Sequence, residues 1–508
     1  MTRVAVATTS ALAAEAAAEV AELGGNAVDC AIAAAMLTMN TEPGVCALAG
    51  SAYVTVWPAA GDPVSIDGNA AVPGIGGGTA GSLSDTDTVD MAYGGGIRTT
   101  VGAPSVAVPG TLAALDRASR QYGRADWRAL VEPSVRAARD GFPLSAACHY
   151  YLGYSGLPVF GRSIDGYHSL HDENGTLRAA GSRIKVPWLA DSLAAIAREG
   201  ASIFYEGELA SAITNHVQEG GGALTRDDLR QYRAIVREPL FVELDGWRIA
   251  TNPPPAIGGA TLAAMLEAFR RQPARQWDAM SLGRLVEVQQ LVLGFRREHL
   301  DLADDVGAEA AKLLAIIREA FAGGRRESAS TVHTSAVDAD GNACAITASS
   351  GYGSGEMPAR TGLWLNNCLG ELELNRHGLD AGPPGRRLPS NMAPGAARRT
   401  GRVLAFGSPG ADRITTALQQ FLINFIQQGM NLGDAVAHPR VHVECRAGGD
   451  RLAVEPGVGL PEMDVPVTEY PAINMYFGGV GAAMHSQDAG FQVAADPRRE
   501  GAVFVSDG

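Results

Sequence analysis

Apolar and hydroxyl-bearing side chains follow one another over residues 331–337, which read Thr-Val-His-Thr-Ser-Ala-Val. Residues 338–342 then read Asp-Ala-Asp-Gly-Asn, a run of turn formers, and an apolar segment resumes at 343–347. Apolar segments on both sides of such a turn predict a β-hairpin. Another strand is predicted at 52–57, where Pro58 ends an apolar run.

Helical spacing of apolar residues dominates much of the remaining chain. Ser10 is expected to cap a first helix that ends at Gly24-Gly25, and Asn26 to cap an alanine-rich second helix. Further helices are predicted at 127–140, 186–199, 208–218, from about 260, at 280–301 and at 308–322. Residues 73–100, which contain two triple glycines, are predicted to form a mobile loop.

Composition excludes several classes of partner. Hydrophobic residues make up 46% of the 508 residues, enough for a substantial core. There are 55 acidic and 41 basic residues, and the formal charge of −14 offers no electrostatic basis for binding nucleic acid or an anionic membrane. No apolar stretch is long enough to span a bilayer. Glu15, Glu19 and Glu22 interrupt the alanine-rich run near the N-terminus with helical spacing, which argues against an export signal and predicts a cytoplasmic location.

The six cysteines are scattered through the chain without paired metal-ligand spacing. This pattern predicts neither a metal site nor a need for disulfide bonds in a chain of this size. Most of the cysteines are expected to be small buried residues.

Thr331, at the start of the predicted hairpin, has two interpretations. By periodicity alone it begins an ordinary strand. Alternatively it is a masked nucleophile, because a threonine hydroxyl can attack a carbonyl when its own α-amine is free to act as the base. An internal threonine gains that amine only after the preceding peptide bond is cut.

A resemblance to the γ-glutamyltransferase family favours the second interpretation. The Thr-x-His segment and the Val-Asp-x-Asp-Gly-Asn turn resemble the processing site of that family. Further matching segments lie at 24–36, 42–44, 108–115, 204–208, 224–229, 362–368 and 407–413, so the resemblance covers nearly the whole chain. It implies self-cleavage between Ser330 and Thr331 into a large segment, 1–330, and a small segment, 331–508, which remain associated in one globular unit.

The resemblance also implies an α/β fold and a reaction class. The expected architecture is the four-layer αββα sandwich of N-terminal-nucleophile hydrolases. The expected reaction is attack by Thr331 on a carbonyl of a small-molecule substrate, formation of an acyl-enzyme, and release to water or an acceptor, without a cofactor.

Three positions are expected to support the chemistry of the nucleophile. Ser349 corresponds to a second hydroxyl that the family places close to the threonine. Gly410 and Ala411 precede a predicted helix, and their backbone amides are expected to form an oxyanion hole. The family has two glycines there, and alanine retains the amide.

The substrate-binding positions are only partly retained. Asn367 and Glu371 match residues around the family's ammonium site, and Ser390 matches one of two adjacent serines that bind a carboxylate. Asn391 replaces the second serine, and Val101 stands where the family has a carboxylate-binding arginine. Arg98, three residues earlier, is the alternative candidate for that role. Poor use of ordinary γ-glutamyl donors is therefore expected.

Three alternatives for function remain open from the sequence. One is a γ-glutamyltransferase-like acyl hydrolase or amidase with a changed substrate. Another is hydrolytic C–C cleavage in natural-product biosynthesis of the alkylproline type, through the same threonine. The third is an unprocessed binding or scaffold protein. His333, His438 and His442 are interpreted as structural, since the nucleophile supplies its own base.

Overall fold

Two large antiparallel sheets form the centre of the molecule. The computed structural model describes residues 2–79, 81, 87–93, 96–319, 331–446 and 449–506. Within these residues the strands are β1 (Val4–Thr8), β2 (Ser51–Trp57), β3 (Val64–Gly68), β4 (Thr88–Met91), β5 (Ile97–Thr100), β6 (Phe142–Pro143), β7 (Arg183–Ile184), β8 (Ile235–Arg237), β9 (Leu240–Leu244), β10 (Trp247–Thr251), β11 (Val332–Asp338), β12 (Ala343–Ser349), β13 (Gly395–Arg399), β14 (Arg402–Gly407), β15 (Val441–Arg446), β16 (Gly449–Val454), β17 (Val467–Glu469), β18 (Gly481–Ser486), β19 (Gly490–Ala495) and β20 (Ala502–Val505).

The described residues contain fifteen α-helices. They are α1 (Ala11–Glu22), α2 (Ala27–Thr41), α3 (Thr111–Tyr122), α4 (Trp127–Asp140), α5 (Ala146–Ser155), α6 (Ile164–Leu170), α7 (Leu189–Glu199), α8 (Ser202–Tyr205), α9 (Glu208–Glu219), α10 (Arg226–Gln231), α11 (Ile257–Arg271), α12 (Ala279–Phe295), α13 (Val306–Glu319), α14 (Arg413–Leu422) and α15 (Leu432–Ala437).

Each of the two large sheets contains strands from before and after residue 331. The first sheet runs β20-β1-β11-β12-β2-β3-β8, and the second runs β19-β18-β14-β13-β10-β9. The predicted hairpin is confirmed: β11 pairs with β12 in antiparallel register, with Val337 opposite Ala343. The first sheet therefore has β1 between two strands that follow residue 331, and the second sheet has four such strands beside β10 and β9.

The layers are held by three apolar clusters. Alanine-rich α1 and α2 pack on the outer face of the first sheet, where small side chains allow close approach. Helices α11 and α14 pack on the second sheet. Between the sheets lies a thin layer of small residues, among them Ala5, Ala345 and Ala405. The predicted α/β architecture with four layers, helix–sheet–sheet–helix, is confirmed.

Several boundaries differ from the predictions for local reasons. The helix predicted at 186–199 begins at 189, because Trp188 adopts a left-handed φ of 65°. The helix predicted at 280–301 ends at Phe295 and continues as a π turn, Arg296–Leu300, closed by the bond from the Asp301 amide to the Arg296 carbonyl. The loop predicted at 73–100 contains the β4–β5 hairpin.

Candidate active site

Thr331 lies at the first position before β11, next to the end of β12. The paired register ends with Val332 opposite Ala348, and Thr331 and Ser349 are the next residues beyond that pair on the two segments. Only 3% of the Thr331 surface is exposed, and Ser349 is also buried. The strand pairing therefore puts the expected nucleophile and the expected second hydroxyl side by side. Ser330, the other residue of the expected cleavage site, lies outside the described residues.

A small cavity of about 20 Å³ opens beside Thr331. A space of this size holds a water molecule or a small substrate group. Its lining joins both halves of the chain: Ser51, Asn69, Thr331, Ser349, Cys368, Glu371, Leu374, Leu388, Pro389, Ser390, Asn391, Met392 and Ala411. This set, called the acyl pocket below, contains six of the expected site residues: Thr331, Ser349, Glu371, Ser390, Asn391 and Ala411.

The backbone at Gly410 and Ala411 has the conformation of an anion-binding loop. Both residues have positive φ, 119° at Gly410 and 63° at Ala411. Their carbonyls accept hydrogen bonds from the Arg413 and Ile414 amides at the start of α14. Among the described residues, neither the Gly410 amide nor the Ala411 amide donates a hydrogen bond. Two free amides at a helix N-terminus can stabilise a negatively charged oxygen.

Gly410 and Ala411 differ in their tolerance of a side chain. A Cβ atom on Gly410 would lie 2.6 Å from the Gly478 Cα atom, so only glycine fits. Ala411 carries its methyl group in the left-handed region, which costs an L-residue about 1–2 kcal/mol. The alanine therefore keeps the amide donor at the expense of backbone strain.

Glu371 provides a buried carboxyl group in the acyl pocket. It is 4% exposed, and its Oε1 atom has no hydrogen-bond partner among the described residues. Burial, together with the negative charge of Glu373, raises the pKa of Glu371 to about 8. Gly351 makes room for this carboxyl, because a Cβ atom there would lie 2.9 Å from the Glu371 Cδ atom.

Asn367, expected to bind substrate, instead joins three segments of backbone. Its Oδ1 accepts from the Tyr352 amide at 2.7 Å. Its Nδ2 donates to the Thr99 hydroxyl and the Thr100 carbonyl, both at 3.0 Å. Asn367 does not line the acyl pocket. The geometry gives it a structural role in holding the loop that contains Gly351.

Asn391 is oriented by an acidic side chain that the sequence did not single out. Its Nδ2 donates to Asp412 Oδ1 at 2.8 Å. The neighbouring Ser390 accepts a bond from the Met392 amide at its hydroxyl, at 3.3 Å. The positions that bind a carboxylate in the family therefore hold one serine and one asparagine that is already engaged.

A buried ionic network lies behind Asn391 and the loop that contains Gly410 and Ala411. Arg296 Nη1 donates to Asp412 Oδ1 at 2.6 Å, and Arg296 Nε donates to Asp301 Oδ1 at 2.9 Å. Burial raises the pKa of Asp301 to about 6, although Arg296 lowers it. The sequence did not indicate this network because Asp412 lies 116 residues from Arg296 in the chain. The only hint was the acidic run after residue 300.

Arg98 is not brought to the acyl pocket. Its side chain is 70% exposed and lies 3.9 Å from Asp90 across the β4–β5 hairpin. Val101 is buried in the apolar core, and its amide donates to the Asp87 carbonyl. Neither residue lines the cavity that contains Thr331.

The three histidines occupy structural positions outside the acyl pocket. His333 is buried between the sheets, with Nδ1 2.8 Å from the Thr347 hydroxyl and Nε2 2.7 Å from the Ser335 hydroxyl. Burial lowers the pKa of His333 to about 3. His442 contacts the Thr416 hydroxyl, and His438 contacts the carbonyl of Pro439.

Two further observations on the described residues concern metal binding and membrane insertion. All six cysteines are buried and none forms a disulfide bond, and no group of His, Cys, Asp or Glu is arranged to hold a metal ion in the described part of the chain. None of the described helices is both long and apolar enough to cross a membrane.

The fold is that of the N-terminal-nucleophile hydrolases. A cephalosporin acylase from Bacillus halodurans superposes with a TM-score of 0.82 at 23% identity, covering 100% of this chain and 96% of the acylase. A γ-glutamyltranspeptidase from Pseudomonas nitroreducens matches 61% of this chain and 92% of its own, with a TM-score of 0.50 and 25% identity.

Sequence comparison defines the family. The family model for gamma-glutamyltranspeptidase matches residues 13–506. The glutathione hydrolase proenzyme of Escherichia coli strain K12 is 27% identical over 97% of this chain and 90% of its own length. The chain belongs to the gamma-glutamyltranspeptidase family, and it is an enzyme of the hydrolase and acyltransferase type.

Proposed function

We propose that this protein is a self-processing threonine hydrolase that transfers an acyl group from an amide or related carbonyl substrate to water or an acceptor. The observation that carries the proposal is the shared cavity: Thr331 and the strained amide-bearing residue Ala411 line one buried pocket, with Ser349 beside them. A nucleophile, an oxyanion site and an enclosed acyl pocket are the minimum set for acyl transfer.

Processing requires no other protein in this scheme. The Thr331 hydroxyl attacks the carbonyl carbon of Ser330, and the C–N bond breaks as its nitrogen gains a proton, leaving an ester and a free α-amine. Water then hydrolyses the ester, which releases the carboxylate of Ser330 and regenerates the hydroxyl. The new α-amine takes the proton from that hydroxyl during each later attack on substrate.

The catalytic cycle uses the same atoms. Attack by the Thr331 oxygen on the substrate carbonyl forms a tetrahedral oxyanion, which the amides of Gly410 and Ala411 stabilise. Collapse expels the leaving group with a proton from the α-amine and leaves an ester on Thr331. Water or an acceptor amine attacks that ester and restores the enzyme. We expect the Ser349 hydroxyl, which lines the same pocket, to donate a hydrogen bond to the threonine oxygen.

The two segments are expected to stay together after cleavage. Strand β11 of the small segment lies between β1 and β12, and β1 itself pairs with β20. Separating the segments would break backbone pairing in both sheets and expose the apolar layers. We therefore expect a stable two-fragment enzyme.

Gel electrophoresis and intact mass measurement of purified protein test the proposal. Wild-type protein should give two fragments, 1–330 and 331–508, that co-elute in gel filtration and separate in denaturant. Thr331→Ala should remain one chain without turnover, because the attacking oxygen is absent. Thr331→Ser serves as the matched control, since it keeps a hydroxyl and should still be cleaved. A wild-type chain that stays intact would support the non-catalytic alternative.

A further inference from the structure

The acyl pocket is unusual in the charge it presents. No Lys, Arg or His is among the described residues that line it, and Glu371 is its one ionisable carboxyl. Thr331, Ser349, Ser390 and Ser51 add hydroxyl groups. A buried substrate carboxylate needs a cationic or multiply hydrogen-bonded partner to offset its lost hydration. This lining supplies no cation for that purpose.

Glu371 is poised to accept hydrogen bonds from a ligand. Its Oε1 atom is buried and has no partner within the described structure. The influences on its pKa are burial and the like charge of Glu373, and no cation contributes. An unpartnered buried carboxyl is costly unless a bound group satisfies it. A substrate N–H donor, charged or neutral, would do so.

Asn391 presents a second unpartnered acceptor. Its Oδ1 is buried and makes no hydrogen bond to a described residue. The amide cannot be reversed, because Asp412 Oδ1 only accepts and must face the Nδ2 group, 2.8 Å away. Asp412 is itself held by Arg296 at 2.6 Å. The ionic network therefore fixes which face of Asn391 is left for a ligand.

We propose that the acyl pocket selects an acyl group that carries an amine or amide N–H and lacks a free carboxylate, with Asn391, positioned by Asp412, as the specificity-determining residue. This inference rests on the proposed function of Thr331. Ionised Glu371 and Asn391 supply two acceptors, which attract N–H donors and repel a carboxylate.

Four chromogenic anilides of matched length test the inference on processed enzyme. The 4-aminobutyryl anilide is the γ-glutamyl anilide with its carboxylate replaced by hydrogen, the glutaryl anilide lacks only the amine, and the butyryl anilide lacks both. We expect the 4-aminobutyryl compound to have the highest kcat/KM, at least about tenfold above the γ-glutamyl compound. Faster hydrolysis of the γ-glutamyl or glutaryl anilide would overturn the inference.

Variants assign the preference to Asn391. Asn391→Ser removes the carbonyl acceptor. It should lower the ratio of kcat/KM for the 4-aminobutyryl anilide to kcat/KM for the γ-glutamyl anilide at least about fivefold. Asp412→Asn allows the Asn391 side-chain amide to rotate and should lower the same ratio of kcat/KM values. Asn424→Ser, a buried asparagine outside the pocket, is the control and should leave the ratio unchanged.

The competing explanation involves Arg296, whose Nη2 atom also has no partner among the described residues. If Arg296 reached a substrate carboxylate, the γ-glutamyl anilide would be preferred and Arg296→Lys would abolish that preference. Four inert anilides with a cleaved chain would also overturn the inference while leaving the role of Thr331 intact. An uncleaved wild-type chain would refute both proposals.

Discussion

Arg296 and Asp412 form a fully buried ion pair that joins the end of α12 to the loop that contains Gly410 and Ala411. The Nη1 and Oδ1 atoms are 2.6 Å apart, and the side chains are 1% and 2% exposed. Asp412 directly follows Ala411, so the pair ties the loop conformation to a helix more than one hundred residues earlier in the chain. The π turn at Arg296–Leu300 lets one guanidinium reach both Asp412 and Asp301.

We predict that Arg296→Met destabilises the protein by about 3–5 kcal/mol, because it removes the ion-pair partner of buried Asp412 and leaves Asp301 only Arg376, at 3.7 Å. Denaturant unfolding measures the loss. Arg297→Met, at the neighbouring and less buried position, is the matched control and should change stability by less than about 0.5 kcal/mol. Equal effects of the two substitutions would contradict a structural role for the ion pair.

Substitutions at the neighbouring residues Ala411 and Gly410 are predicted to have opposite effects. Ala411→Gly should keep processing and activity and raise the free energy of unfolding by up to about 1 kcal/mol, since it removes the left-handed strain. Gly410→Ala should lower kcat/KM by at least about tenfold, because the new methyl group collides with the Gly478 backbone and displaces the amide. Steady-state kinetics and thermal unfolding of both variants decide the matter. A harmless Gly410→Ala would argue against the proposed oxyanion hole.

Glu371 should make catalysis depend on pH. With its pKa raised to about 8, the carboxyl of the free enzyme is protonated at neutral pH. Binding of a substrate ammonium needs the ionised form, so kcat/KM for amine-bearing substrates should rise as pH increases through about 8. Glu371→Gln should flatten that rise and lower kcat/KM at least about tenfold at pH 9. A pH profile unchanged in Glu371→Gln would assign the titration to another group.

The same carboxyl should affect stability in the opposite sense. Its folded pKa lies above the unfolded value, so the stabilisation it gives is complete below about pH 4.5 and is lost as pH rises through about 8. Thermal unfolding of wild type and Glu371→Gln across that range should converge at low pH and separate at high pH, with the variant more stable.

His333 should contribute to acid sensitivity. Its folded pKa of about 3 lies below the usual 6.5, so the stabilisation is present above pH 6.5 and is lost as pH falls toward 3. His333→Gln should reduce the drop in Tm between pH 7 and pH 4 by about 2 °C or more. His168→Gln, at an exposed histidine, is the control. Part of the drop should persist because burial also lowers the pKa of His442.

The sequence determined the architecture because local patterns act over short distances. The turn formers at 338–342 specified the hairpin, and the capping residues Ser10 and Asn26 begin helices as expected. Residues adjacent in the chain, such as Gly410 and Ala411, were placed correctly at a helix start because their neighbours define that start. Resemblance over the whole chain then supplied the layered fold.

Only the tertiary structure decided which side chains share the acyl pocket. Arg98 and Asn367 were plausible from position, but Arg98 lies on an exposed hairpin, and all polar atoms of the Asn367 amide are used by backbone segments and Thr99. Arg296 and Asp301 meet Asp412 through packing of distant segments, and the Arg296–Asp412 ion pair exists only because of that packing. The orientation of Asn391 follows from this network, because a carboxylate accepts hydrogen bonds and cannot donate them.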